Sequence, residues 1–175
     1  MIDATIAQRG GASSLAVDVV SDLVCPWCFI GKRKLEAALA ELARTEPALD
    51  VTIRWHPFEL NPDLPREGIP RATYLAQKFG GGARAADIYA RVKHVGETVG
   101  IPFRFDRIER QPNTFDGHRL VAWAQLRFDP STLVEQLFRA YFLDGRFIGD
   151  RDALVAIAAE AGLSADGARM MLESD

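Results

Sequence analysis

Leu15-Ala16-Val17-Asp18-Val19-Val20-Ser21-Asp22-Leu23-Val24-Cys25-Pro26-Trp27-Cys28 runs from a β-branched strand pattern straight into two thiols three residues apart, and this junction decides the fold. Leu15, Val17 and Val19 alternate, as a half-buried strand requires. Pro26 then opens a helix, because at the first helical position its missing N–H would have had no intrahelical partner. Cys25 is thereby placed at the helix cap and is expected to be exposed. Cys28, Gly31, Leu35, Leu39 and Leu42 recur at helical spacing to about residue 44, so Cys28 is expected to be the more covered thiol. After the Thr45-Glu46-Pro47 break, Val51-Thr52-Ile53-Arg54-Trp55-His56 alternates as a second strand. A strand, helix, strand unit is normally a right-handed parallel crossover, and sites in open α/β sheets lie beyond the carboxyl ends of the strands, where Cys25 falls.

Two thiols at i and i+3 on a first helical turn can close a disulfide, and the partial positive charge of the helix N-terminus stabilises a thiolate at the first. A reversible dithiol is the leading expectation. Inert buried cysteines and half of a structural zinc site are the alternatives. A zinc site needs two further ligands, whereas His56, His94 and His118 are scattered without ligand spacing, so no metal is expected. The dipeptide Pro26-Trp27 tunes thiolate stability, and Trp27 is expected to offer a packing or substrate-docking surface.

With 175 residues and 48% hydrophobic content the chain can bury a core without staples. Its net charge of −3 lacks the concentrated Lys and Arg that phosphate binding needs, which argues against nucleic acid. Lys32-Arg33-Lys34 points in three directions on a helix and is expected to be a solvated face. No stretch approaches a membrane span or a secretory leader, so no membrane association and a cytoplasmic location are expected. In a reducing compartment two cysteines are better read as a working pair than as a structural bridge. Residues 1–14 read as a loose, flexible tail.

From Phe58 the character changes. Asn61 to Pro70 is a proline-rich loop, and after it helical periodicity dominates, with helices expected near 71–79, 84–98, 114–127, 131–143, 151–161 and 165–173. Gly80-Gly81-Gly82 is expected to separate two helices, since no strand precedes it and no Lys-Ser/Thr follows. The expected organisation is a tail at 1–14, a βαβ unit at 15–60 and a helical insertion at 61–175.

Four stretches together resemble the DsbA-like branch of the thioredoxin superfamily, and within it the FrnE-type proteins. They are Ser21 to Gly31, Pro57-Phe58-Glu59-Leu60-Asn61-Pro62, Asn113-Thr114-Phe115-Asp116-Gly117-His118-Arg119, and Ala140-Tyr141-Phe142 with Ile148-Gly149-Asp150. The resemblance implies an α/β, thioredoxin-like fold of DsbA type with a large helical insertion. It implies a thiol-disulfide oxidoreductase that needs no cofactor, with Cys25 attacking, Cys28 resolving, and protein or small-molecule disulfides and thiols as partners. A homodimer is a further partner expectation. It also suggests Asn113, Thr114 and His118 as substrate-site residues; on the residues alone, Thr114 reads as a helix N-cap and His118 as an ordinary polar face residue. His56 reads as a structural histidine, while Asp22 and Asp116 would disfavour a thiolate if close.

Members of the family close the thioredoxin core with a strand entered through a cis-proline, then another strand and a helix; the chain is expected to lack these. Gly100-Ile101-Pro102-Phe103 imitates the proline pattern but precedes the Asn113 segment. Two competing functions remain: a glutathione-dependent isomerase or transferase of the same fold, and an inactive truncated fragment or interaction module.

Overall fold

The strand predicted from Leu15, Val17 and Val19 runs from Ala12 to Ser21 and pairs on both sides. The computed structural model describes residues 2–9 and 12–174, with side chains from Ser13 onward except at 82. Ile2–Arg9 forms β1, Ala12–Ser21 β2, Pro26–Thr45 α1 and Asp50–Pro57 β3. β2 and β3 are parallel, with Val17 opposite Ile53 and Val19 opposite Trp55, as the crossover predicts. β1 is antiparallel to β2, with Ala4 opposite Val17 and Ile6 opposite Leu15. The loose tail expected at 1–14 is therefore corrected over 2–9 and 12–14, which are strand; residues 1, 10 and 11 lie outside the described residues. The physical reason is the edge of β2: its backbone donors and acceptors opposite β3 need partners, and β1 supplies them.

After β3 come a two-residue strand β4 (Ile69–Pro70), α2 (Arg71–Phe79), α3 (Gly82–Glu97), a 3-10 turn at Phe105–Arg107 and β5 (Arg110–Gln111), which pairs antiparallel with β4. Helices α4 (Phe115–Gln125), α5 (Ser131–Phe142), α6 (Arg151–Glu160) and α7 (Ala165–Glu173) follow, each within a few residues of its expectation. Gly80 ends α2 in the left-handed region at φ 75°, so the glycine run is the helix break that was expected. Pro102 carries no cis bond and lies between the buried Ile101 and Phe103, beside Gly96 of α3.

One hydrophobic cluster joins the sheet to the helices, from Val17 through Leu172. Its aromatic centre is Phe29, the residue after Cys28: fully buried, stacked on Phe138 of α5 at 5.0 Å and edge-on to Phe103 at 6.0 Å. The stripe expected on α1 is corrected accordingly. Leu35, Leu39 and Leu42 are only half-buried, and Phe29, Ile30 and Lys32 are the residues that α1 buries, because its first turns dock against α5 while its far end stands clear. Burying such an aromatic contributes about 3–5 kcal/mol, judged by truncation.

The Lys32-Arg33-Lys34 run is not a solvated face. Lys32 is buried and bonds Glu36 and Glu135, the latter at 2.9 Å, while Arg33 bonds the same two glutamates. Only Lys34 is exposed. A buried ammonium needs carboxylates around it, and here they clamp α1 to α5. The outer edge of β3 is closed at Trp55 by Gln125 of α4, which accepts from Trp55 N–H at 2.7 Å and donates to its carbonyl at 3.2 Å.

Candidate active site

The loop Asp22 to Val24 carries the chain from β2 into α1, and its geometry sets the two thiols. Cys25 is the extended residue before the helix (φ −94°, ψ 108°), with Pro26 in the first helical position, as the sequence requires. Its N–H donates to the Asp22 carbonyl at 3.1 Å, and its own carbonyl accepts from Cys28 N–H at 3.0 Å and Phe29 N–H at 3.3 Å. Both cysteines are free and half-buried to a similar degree, which corrects the expected contrast between an exposed and a covered thiol. Trp27, between them, is 52% exposed.

The two sulfurs share a hydrogen bond. Donation from Cys25 holds Cys28 down to about 6 against the upward push of burial, aided by the Asp22 N–H and the Ser21 hydroxyl. The same bond ties the second proton to Cys25, whose thiol is held far above the ordinary range, first by that bond and then by burial. The N–H groups of Cys28 and Trp27 act in the opposite sense, aimed at the Cys25 sulfur from the first turn of α1. Interacting thiols lose protons as a pair. The arrangement thus yields one thiolate that leaves easily and one thiol that does not.

Behind the thiols lies a buried polar set that the sequence reading named only in part. Asp22 is 1% exposed; one carboxylate oxygen accepts from Leu60 N–H at 2.7 Å, and the other lies 3.5 Å from Val24 N and 3.4 Å from His118 Nε2. His118 is itself buried, not on an exposed helix face, and its Nε2 has no hydrogen-bond partner. Gly117 makes this approach possible, since a Cβ there would meet Leu23 Cδ1 at 2.7 Å. The buried Ser21 hydroxyl, without another partner, faces the Cys28 sulfur.

Thr114 stands at the N-cap position of α4 but does not cap with its side chain. Asn113 performs that role, accepting from Phe115 N–H at 2.9 Å while its amide donates to the Leu64 carbonyl at 2.8 Å. Asn113 therefore fixes the proline-rich loop to α4, and both Asn113 and Thr114 are buried. Asp116 points into an open basin where burial raises its carboxyl but Arg151, Arg119 and Arg66 outweigh this and hold it below the ordinary range. His56 Nε2 is 2.6 Å from Asp18, apart from the thiols. Among the described residues no group of three or more His, Cys, Asp or Glu is placed to hold a metal, and no helix is long and apolar enough to cross a membrane.

Asp22 and Ser21 are site residues that the motif reading missed or left unplaced. The signal available was an acid three positions before Cys25, followed directly by the apolar Leu23 and Val24.

Comparison with known proteins agrees with this geometry. A probable DsbA oxidoreductase from Streptomyces coelicolor superposes with a TM-score of 0.77 at 31% identity, over 91% of this chain and 68% of that one. The protein YwbO of Bacillus subtilis is 28% identical over 165 residues, covering 90% of this chain and 72% of its own length. The cytosolic disulfide reductase DsbM of Pseudomonas aeruginosa shares the fold at 22% identity, with a TM-score of 0.60 over 90% of this chain and 70% of that one. The family described as DSBA-like thioredoxin domain matches residues 16–175, and the chain belongs to that family.

Proposed function

We propose that the protein is a thiol-disulfide oxidoreductase that works through Cys25 and Cys28. The observation that carries this reading is the placement of two free, half-buried thiols three residues apart at the cap and first turn of α1. A thiolate at neutral pH attacks a disulfide, forms a mixed disulfide and is released when the neighbouring thiol attacks its sulfur. No cofactor enters this cycle.

Cys25 is assigned as the attacking thiol and Cys28 as the resolving one. Cys25 sits at the helix cap, where the Trp27 and Cys28 N–H groups reach its sulfur and where the partial charge of α1 favours an anion. The lowered value at Cys28 favours the reverse order, so the two orders need a direct test. Trapping decides it: offered insulin or oxidised glutathione, C28S attacks the disulfide, releases one half as a thiol and keeps the other as a stable mixed disulfide, and C25S does not. Accumulation in C25S alone reverses the roles. Full insulin-reduction turnover by C25S would refute a dithiol mechanism altogether.

Exposed Trp27, Phe58 and Leu60 flank the same loop: Phe58 N–H donates to Ser21 C=O and Leu60 N–H to Asp22. This apolar rim suits a peptide disulfide. The FrnE-type subgroup and a cytoplasmic working place belong to the same proposal, supported by the quoted motifs and by the use of both cysteines in one pair.

A further inference from the structure

β3 is the last strand of its sheet, and an edge strand presents a row of backbone donors and acceptors to whatever lies beside it. The N–H and C=O of Trp55 both point outward, because both are bonded to Gln125. In a parallel ladder alternate residues bond to the neighbouring strand, so Ile53 and Val51, two and four residues back, also point outward, while the backbone of Thr52 and Arg54 faces β2. Among the described residues nothing closes the edge at Val51 and Ile53 as Gln125 closes it at Trp55. A groove of about 570 Å³ runs there, between β3 and residues 125–130. Its wall carries Leu126, 82% exposed, and Phe128, 48% exposed, so an open strand edge and an apolar patch coincide.

We propose that this edge docks on the same edge of a second copy of the chain, antiparallel about a two-fold axis at Thr52, so that the two three-stranded sheets become one. The open stretch is complementary to itself. Turned about Thr52, Val51 of one copy and Ile53 of the other exchange two backbone bonds, and the axis repeats the pair. The same register sets Thr52 opposite Thr52 and, on either side of the axis, Asp50 opposite Arg54, an opposite-charge pair that stabilises antiparallel strands. Both charges are on hand: Asp50 is exposed and bonds no cation among the described residues, and Arg54, half-exposed, spends one guanidinium nitrogen on Asp18. The pairing ends at Trp55, whose outward groups Gln125 already holds. No thiol takes part, so the interface stands or falls apart from the oxidoreductase reading.

The test is sedimentation of the full reduced chain over a concentration series, with each variant checked for a cooperative melt. The wild-type chain is expected to pass from monomer to dimer as concentration rises. T52R sets two guanidinium groups against each other at the axis, on an exposed position of β3, and is expected to stay monomeric over the same range. D50R places arginine opposite Arg54 twice and is expected to weaken the dimer about tenfold. The register is read by crosslinking in the C25S/C28S background under oxidised glutathione. T52C pairs with itself across the axis at about 4.5 Å between Cα atoms and is expected to link; D50C lies about 14 Å from its copy and is expected not to. The proposal is overturned if the wild-type chain is still monomeric at about 1 mM, or if T52R or D50R dimerises as the wild type does. It is equally overturned if T52C fails to link where the chain is dimeric, or if D50C links as readily as T52C.

Discussion

Lys32 and Asp22 are both buried charges at the start of α1, and they are treated in opposite ways. Lys32 is met by two carboxylates, Glu36 and Glu135, with Arg33 completing a closed network between α1 and α5. Asp22 is met by one short backbone bond and a histidine at 3.4 Å whose nitrogen is otherwise unpartnered. The first arrangement satisfies every charge and holds two helices together. The second leaves valence unused beside two ionisable sulfurs, which is where proteins keep groups that must change state. The contrast separates scaffold from site within a few residues of one helix.

The largest expected effect lies on the scaffold side. Phe29→Ala should cost about 3–5 kcal/mol, since it removes the fully buried ring between Phe138 and Phe103, and chemical denaturation measures it. Lys32→Ala should cost about 1.5–3 kcal/mol by removing one charge-assisted bond from Glu135, which Arg33 still holds, while the thiol titration stays within error of the parent. A clear titration shift in that variant would erase the distinction between the two charges.

Gly117→Ala should cost about 1–3 kcal/mol and also disturb the site, because the added methyl drives α4 away from Leu23 and carries His118 from Asp22. Its signature is a melt and a thiol titration that move together; a melt that moves alone would make Gly117 a packing residue only. Asn113→Ala should cost about 1 kcal/mol by freeing Phe115 N–H and the Leu64 carbonyl, with turnover affected less than stability.

A further effect is in pH. Cys28 in the folded state is held to about 6, below the unfolded thiol value of about 8.5, so the reduced fold gains stability as pH rises between them and loses that contribution as pH falls through about 6. Above about 8.5 both unfolded thiols ionise while Cys25 in the fold keeps its proton, so the contribution declines again. Melting of the reduced chain against pH, compared with the C25S/C28S variant, should show this rise and fall.

Much of this architecture is legible in the sequence because single signals dominate locally. Alternation at Leu15, Val17 and Val19 specifies β2, Pro26 starts α1, and Asp150 and Ser164 accept from Asp152 and Gly167 N–H to cap α6 and α7. β1 is hidden in the sequence, although Ile2, Ala4 and Ile6 alternate, because short polar-flanked alternation close to a terminus resembles a tail until a partner edge is known. The burial of Lys32 was hidden for a similar reason: its partner Glu135 is 103 residues away. The thiols announce themselves by spacing, whereas Asp22 and His118 become a pair only when Gly117 lets α4 touch Leu23. Local chemistry is written in order along the chain, but the charges set behind it are assembled by packing.

The most direct test of the dithiol account is the intact mass of the wild-type chain after equilibration across a series of glutathione redox buffers. The account predicts a reversible loss of two hydrogens with a single midpoint, abolished in both C25S and C28S. A chain that keeps both thiols free at every poise, or that forms only stable glutathione adducts, would contradict it.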